Sequence, residues 1–156
     1  MQDATPLLLL SNQTVTASGN SPNFALPQAE CYALILVATA VSGTTPAANA
    51  VLQMALDGTY GNGSISAPAV APTTWINTAM AFASLAAVGN QTLIFKPTMS
   101  IGESASVATV TPGTASAKNS PIRRQFLRLN FGVTGTTPSF TYSLYALANP
   151  KGYSVA

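Results

Sequence analysis

The chain has no histidine and very little charge. Four acids and six basic residues are spread over 156 positions, and charged side chains make up 6% of the sequence, against about 25% in an ordinary soluble domain. Without histidine there is no Ser-His-Asp arrangement, no side chain that titrates near neutrality unaided, and no imidazole for zinc. The acids Asp3, Glu30, Asp57 and Glu103 lie far apart in sequence, a poor basis for a carboxylate pair. The single cysteine, Cys31, excludes an internal disulfide and a paired-thiolate metal site. It precedes Tyr32 at the start of an apolar segment and reads as a buried structural thiol rather than a nucleophile. Gly58, Gly61 and Gly63 do not open a helix after a strand and no Lys-Ser/Thr pair follows them, so no phosphate-cradling loop is expected. A Ser-Lys pair built on Lys96 or Lys118 has no local motif behind it. The expectation is therefore a protein that is not an enzyme and carries no cofactor and no metal.

Long hydrophobic runs are missing too. The apolar stretches 33–41 and 79–88 are far too short to cross a bilayer as helices and are broken by Thr, Ser or many Ala. The segment Met1-Gln2-Asp3-Ala4-Thr5-Pro6 carries an acid where a secretory leader carries basic residues. No membrane partner is expected. The formal charge of +2 rests on too few cations for a nucleic-acid surface, which needs clustered Lys and Arg, so no direct nucleic-acid partner is expected either.

What the chain has in abundance is small residues: 26 alanines, 19 threonines and 15 serines, with 11 glycines and 11 prolines distributed along its length. Twelve aromatic residues are enough to build a core. Short apolar segments cut by Gly, Pro, Asn and Ser clusters predict strands at 7–10, 14–17, 33–41, 50–56, 75–80, 91–95, 104–111, 125–133 and 141–147. Alternation puts Gln125, Leu127, Leu129, Phe131 and Val133 on one face, and Ala50, Leu52, Met54 and Leu56 on another. Segment 33–41 is apolar on both faces, as a central strand would be. Residues 73–88 fit either a helix capped by Thr73 or Thr74 and ended by Gly89, or a strand at Trp75 followed by a packed loop. The fold class is all-β, an antiparallel β-sandwich.

A repeat is visible. Residues 33–41 lead into Ser42-Gly43-Thr44-Thr45-Pro46 and out through 50–56; residues 125–133 lead into Thr134-Gly135-Thr136-Thr137-Pro138 and out through 141–147. Gly permits positive φ and Pro interrupts a ladder, so both segments are expected to be β-hairpin turns. Residues 1–27, polar apart from Leu7, Leu8, Leu9, Leu10 and Phe24, form either an arm that orders on a neighbour or an edge strand with its loop, ahead of a single domain over 28–156.

The stretch Arg123-Arg124-Gln125-Phe126-Leu127-Arg128-Leu129-Asn130-Phe131, with Gly135-Thr136-Thr137-Pro138 and Tyr142-Ser143-Leu144-Tyr145-Ala146-Leu147, resembles the C-terminal hairpin of capsid cement (decoration) proteins of tailed bacteriophages of the podovirus type. Residues 34–41 with Leu52-Gln53-Met54-Ala55-Leu56-Asp57-Gly58 are similar to an earlier hairpin of that family. The resemblance covers roughly half the chain and breaks down over 81–122. It implies a jelly-roll-like sandwich on the outer surface of a virion capsid, clamping neighbouring copies of the major capsid protein, with self-association as a homodimer or homotrimer. On that expectation Leu7, Leu8, Leu9 and Leu10 are arm contacts. Arg123, Arg124 and Arg128 either meet acidic shell residues or are two solvated edge charges and one stem over apolar surface. Tyr142, Tyr145 and Tyr153 are candidate anchors. Two other readings stay open: a tail- or fibre-associated phage β-protein, and a carbohydrate-binding sandwich using Trp75, Tyr60 or Tyr32.

Overall fold

A computed structural model of the chain describes residues 5–26, 29, 31–55, 59–61, 64–95 and 126–148. Its strands are β1 (Leu7–Val15), β2 (Gly19–Asn20), β3 (Tyr32–Ala55), β4 (Thr59–Gly61), β5 (Ser64–Val70), β6 (Trp75–Ala81), β7 (Gly89–Phe95) and β8 (Leu127–Ala148). All pairings are antiparallel, and no helix occurs among the described residues. The all-β expectation holds and the arrangement is consistent with a sandwich; the pairing does not establish a jelly-roll order. In the 73–88 segment the strand wins. Residues 75–81 pair antiparallel with β3, Asn77 opposite Gln53, Ile76 opposite Met54 and Trp75 opposite Ala55, cross-strand pairing that a helix could not make. The expected strand at 104–111 lies outside the described residues.

The organising element is the ladder between β3 and β8, which pair over nearly their whole lengths, from Tyr32 opposite Ala148 to Met54 opposite Leu127. The two Gly-Thr-Thr-Pro segments therefore do not close hairpins whose flanking segments pair with each other, contrary to the hairpin expectation. Each strand runs on through its motif, and the two motifs pair with one another, Thr44 opposite Thr136. The hydrophobic pattern on either side of each motif was read correctly. Its partner lies on the other long strand, not across the turn.

At this crossing the ribbon folds over. Phe131 and Tyr142 stand on the same strand at positions that a straight strand would hold about 36 Å apart, yet their ring centroids are 5.0 Å apart. One continuous core results, lined by Leu34, Leu36, Leu52, Leu127, Leu129 and Leu144, with Phe131, Phe140 and Tyr142 near the crossing. Leu34, Leu36, Leu52, Leu127, Leu129 and Leu144 are each fully buried, worth about 1.5–3 kcal/mol apiece relative to exposure.

The flanking strands reveal a two-fold relation. β1 lies along the C-terminal half of β8, while β2 and the Phe24–Leu127 bridge lie along its N-terminal half. Correspondingly, β6 lies along the C-terminal half of β3 and β7 along its N-terminal half. Exchanging β1 with β6, β2 with β7 and β3 with β8 maps the sheet onto itself. The short β4–β5 pair stands between the two sets in sequence and pairs apart from the main sheet. The exchange is reciprocal: the first set's short strands pair with β8, and the second set's short strands pair with β3.

Two departures from symmetry have physical reasons. β3 carries an extra residue, Thr39, between Ala38 opposite Tyr142 and Ala40 opposite Thr141, a bulge that bends the strand into the crossing. Inward positions 38, 48 and 50 are alanines on β3, while the matching positions on β8 are Phe131, Phe140 and Tyr142. Rings on both strands would compete for the same space near the axis. One large set facing one small set fills it.

Candidate interaction surface

Within the described part of residues 1–27, β1 is an edge strand. β1 is hydrogen-bonded to β8, and Leu10, Phe24 and Leu26 belong to the common core. The Leu7–Leu10 run splits accordingly. Leu7 and Leu8 are 45% and 48% exposed, Leu9 is half-buried against the core, and Leu10 is 6% exposed. Register shifts flank Leu10, and Asn12 takes a left-handed φ of 45° while its backbone N–H donates to Ser143 Oγ at 3.0 Å. Bulges of this kind break up the flat edge that would invite uncontrolled strand addition.

Tyr142 is not a surface anchor: it is 2% exposed and packs on Phe131, with a tilt of 48° between the rings. Burial pushes its hydroxyl up to about 12. Leu10 is withdrawn from the surface in the same way. Tyr145 is half-buried on β8, between Leu8 of β1 and Ile35 of β3. Arg123, Arg124 and Tyr153 lie outside the described residues, and Cys31 is half-buried.

Among the described residues Arg128 is the sole Asp, Glu, Lys or Arg side chain. Its guanidinium lies 4.1 Å from the centroid of the Trp75 ring, and its Nε donates to Gln53 Oε1 at 2.8 Å. Gln53 Nε2 in turn donates to Asn77 Oδ1 at 2.8 Å. The register explains the row. Gln53 stands opposite both Arg128 on β8 and Asn77 on β6, and Trp75 pairs with Ala55 one step along the same face. Desolvation pulls the guanidinium below its usual pKa, and it stays protonated at neutral pH because that usual value is so high. The group over the Trp75 ring is the guanidinium itself rather than the aliphatic stem. Gln53 and Asn77 were not singled out from the sequence; only strand register reveals them.

The crossing itself is the second exposed feature. Residues 42–45 and 134–137 are all exposed. Gly43 and Gly135 have φ of 116° and 115°, and Thr45 and Thr137 have φ of 48° and 47°. Thr45 Oγ1 donates to the Thr44 carbonyl and Thr137 Oγ1 to the Thr136 carbonyl, both at 2.8 Å. A Cβ at Gly43 would meet Thr137 O at 2.8 Å, and one at Gly135 would meet Thr45 O at 2.8 Å. Each glycine thus admits the backbone of the opposite motif. The repeated motif was the available signal, but its role as a strand crossing needed the pairing.

The described surface built this way is hydroxyl-rich and strand-paired. It offers hydrogen bonds and shape, and within the described residues no charge other than Arg128. No family model, curated protein or solved structure matches the chain.

Proposed function

We propose that the chain is a virion structural protein of the capsid cement class, binding the outer face of a closed shell and clamping neighbouring major capsid subunits. The supporting observation is the scarcity of ionisable side chains in the sequence, four acids and six basic residues over 156 positions, with Arg128 folded onto Trp75 and Gln53. A subunit that works by burying surface against neighbours loses free energy for every charge it must desolvate. A surface of methyls and hydroxyls avoids that loss. Repetition over a lattice multiplies weak contacts, because each copy engages sites already held close together. Binding only the expanded shell stabilises that state by mass action. No chemistry is assigned to the chain in this role, and its partners are the major capsid protein and further copies of itself.

The sugar-binding alternative is weakened by particular contacts. Tyr32 is 5% exposed, and Arg128 already occupies a face of the Trp75 ring. The deciding experiment is co-sedimentation of the purified chain with empty, expanded capsids that lack it. Saturable binding at a fixed copy number, with a raised shell rupture temperature, is expected. A soluble chain that never pellets with shells would sink the cement reading and favour a tail-associated role.

A further inference from the structure

We propose that the crossing of β3 and β8 is a docking knuckle for two identical subunits related by a two-fold axis, one chain sitting coaxially on the pair. The proposal rests on the shell-clamping reading and adds to it the geometry of the partner. The two halves of the knuckle match in sequence and backbone: Gly43 with Gly135, Thr45 with Thr137, φ values agreeing within a degree, and the same threonine-to-carbonyl hydrogen bond in each. The flanking strands obey the same exchange, so the axis belongs to the whole sheet and emerges where the motifs pair.

Two features point outward. All eight knuckle residues are exposed, so the core does not require threonine at 45 and 137. Yet both positions carry a β-branched residue in the left-handed region, where glycine or asparagine is the ordinary choice. Strain kept at an exposed position, twice and identically, marks a surface shaped for contact. Each hydroxyl is tied to the preceding carbonyl, so the side chains are preorganised.

Symmetry selects the occupant. An isologous contact needs the same patch on both sides of an axis, and the knuckle offers one patch twice within a single chain. The internal two-fold supplies what a homodimer would otherwise supply. The eight exposed residues of the knuckle are far fewer than the ~20–30 per side of a stable free interface. A lattice partner, on which other contacts share the binding, therefore fits better than a second copy in solution.

The test uses the full chain, expanded shells lacking it, and the variants Thr45→Gly, Thr137→Gly and the double variant. Glycine tolerates the left-handed φ, so melting temperatures should hold or rise while the side chains are lost. Saturation is expected at one chain per two shell subunits. Each single variant should weaken binding by a similar factor, on the order of 5-fold for a loss near 1 kcal/mol, and the double variant by about the product. Saturation at one chain per subunit, strongly unequal single variants, or a double variant that binds like wild type would each overturn the knuckle while leaving shell binding intact. A self-association in solution that the double variant abolishes would give the patch to a second copy and overturn the shell partner. Failure of the wild-type chain to bind shells at all would overturn the cement reading, and the knuckle with it.

Discussion

Replacing Gly43 or Gly135 by alanine is the most direct test of the crossed-ribbon architecture. A Cβ at Gly43 would sit 2.8 Å from Thr137 O, 2.9 Å from Pro138 Cα and 2.9 Å from Thr136 O; at Gly135 it would sit 2.8 Å from Thr45 O and 3.0 Å from both Pro46 Cα and Thr44 O. Every one of these atoms is backbone, so no side chain can swing aside. A left-handed backbone costs an L-residue about 1–2 kcal/mol, and φ near 116° lies beyond that basin. Forcing paired backbone apart by a few tenths of an ångström adds about 1–3 kcal/mol, as overpacking does. Each substitution should therefore cost about 3–5 kcal/mol, a large share of the ~5–15 kcal/mol that holds a domain folded. Urea denaturation reads it directly: with a slope of roughly 2 kcal/mol per molar, the midpoint should fall by about 2 M. The two variants should agree closely because their surroundings do. The double variant should cost less than the sum, since either Cβ alone already opens the same crossing. A midpoint unchanged in one variant and lowered in the other would refute the equivalence of the two motifs. Unchanged midpoints in both would refute the close approach itself.

Three further outcomes follow from particular contacts. Tyr142 has its pKa raised from 10.0 to about 12 by burial, so the folded state holds the phenolic proton more tightly than the unfolded one. Its contribution is intact below pH 10 and is lost as pH rises toward 12, about 2–3 kcal/mol in all; pH-dependent melting of Tyr142→Phe should lack that part of the alkaline loss, and an identical profile would contradict it. Arg128→Ala removes the stacking on Trp75 and the bond to Gln53, and should cost about 1–2 kcal/mol and shift Trp75 fluorescence; an unaltered spectrum would mean the pair is not formed in solution. Leu52→Ala and Leu144→Ala, at matching inward positions of β3 and β8 and both fully buried, should each cost about 2–5 kcal/mol; chemical denaturation showing one of them neutral would argue against equivalent halves.

Much of the strand content was legible because alternation is local. The inward set Leu127, Leu129 and Phe131 and the set Ala50, Leu52 and Met54 are visible in the order of residues and are buried as read. The repeat around Gly43 and Gly135 was legible for the same reason. Its meaning was not, because a Gly-Thr-Thr-Pro segment satisfies the chemistry of a turn and of a paired crossing equally well. The choice is made by a strand some ninety residues away in sequence. Tyr142 misled for a similar reason: tyrosine suits both interfaces and cores, and only the facing alanines on β3 show that a ring is needed inside. The row of Arg128, Gln53, Asn77 and Trp75 draws on three strands, and no sequence window contains it.

The reciprocal pairing of the two strand sets also governs when the chain can acquire structure at all. β1 is synthesised well over a hundred residues ahead of its partners, Phe140 to Ala146. At ~5–20 residues per second, β1 waits roughly 6–28 s for its mate. β3 meanwhile gains β6 and β7 but lacks its principal ladder until β8 follows. Such long sequence separations make folding slow and leave the principal ladder open until β8 follows. A nascent chain stalled before Leu127 therefore leaves β1 and the β8-facing edge of β3 without their partners, the kind of exposed apolar edge that invites aggregation.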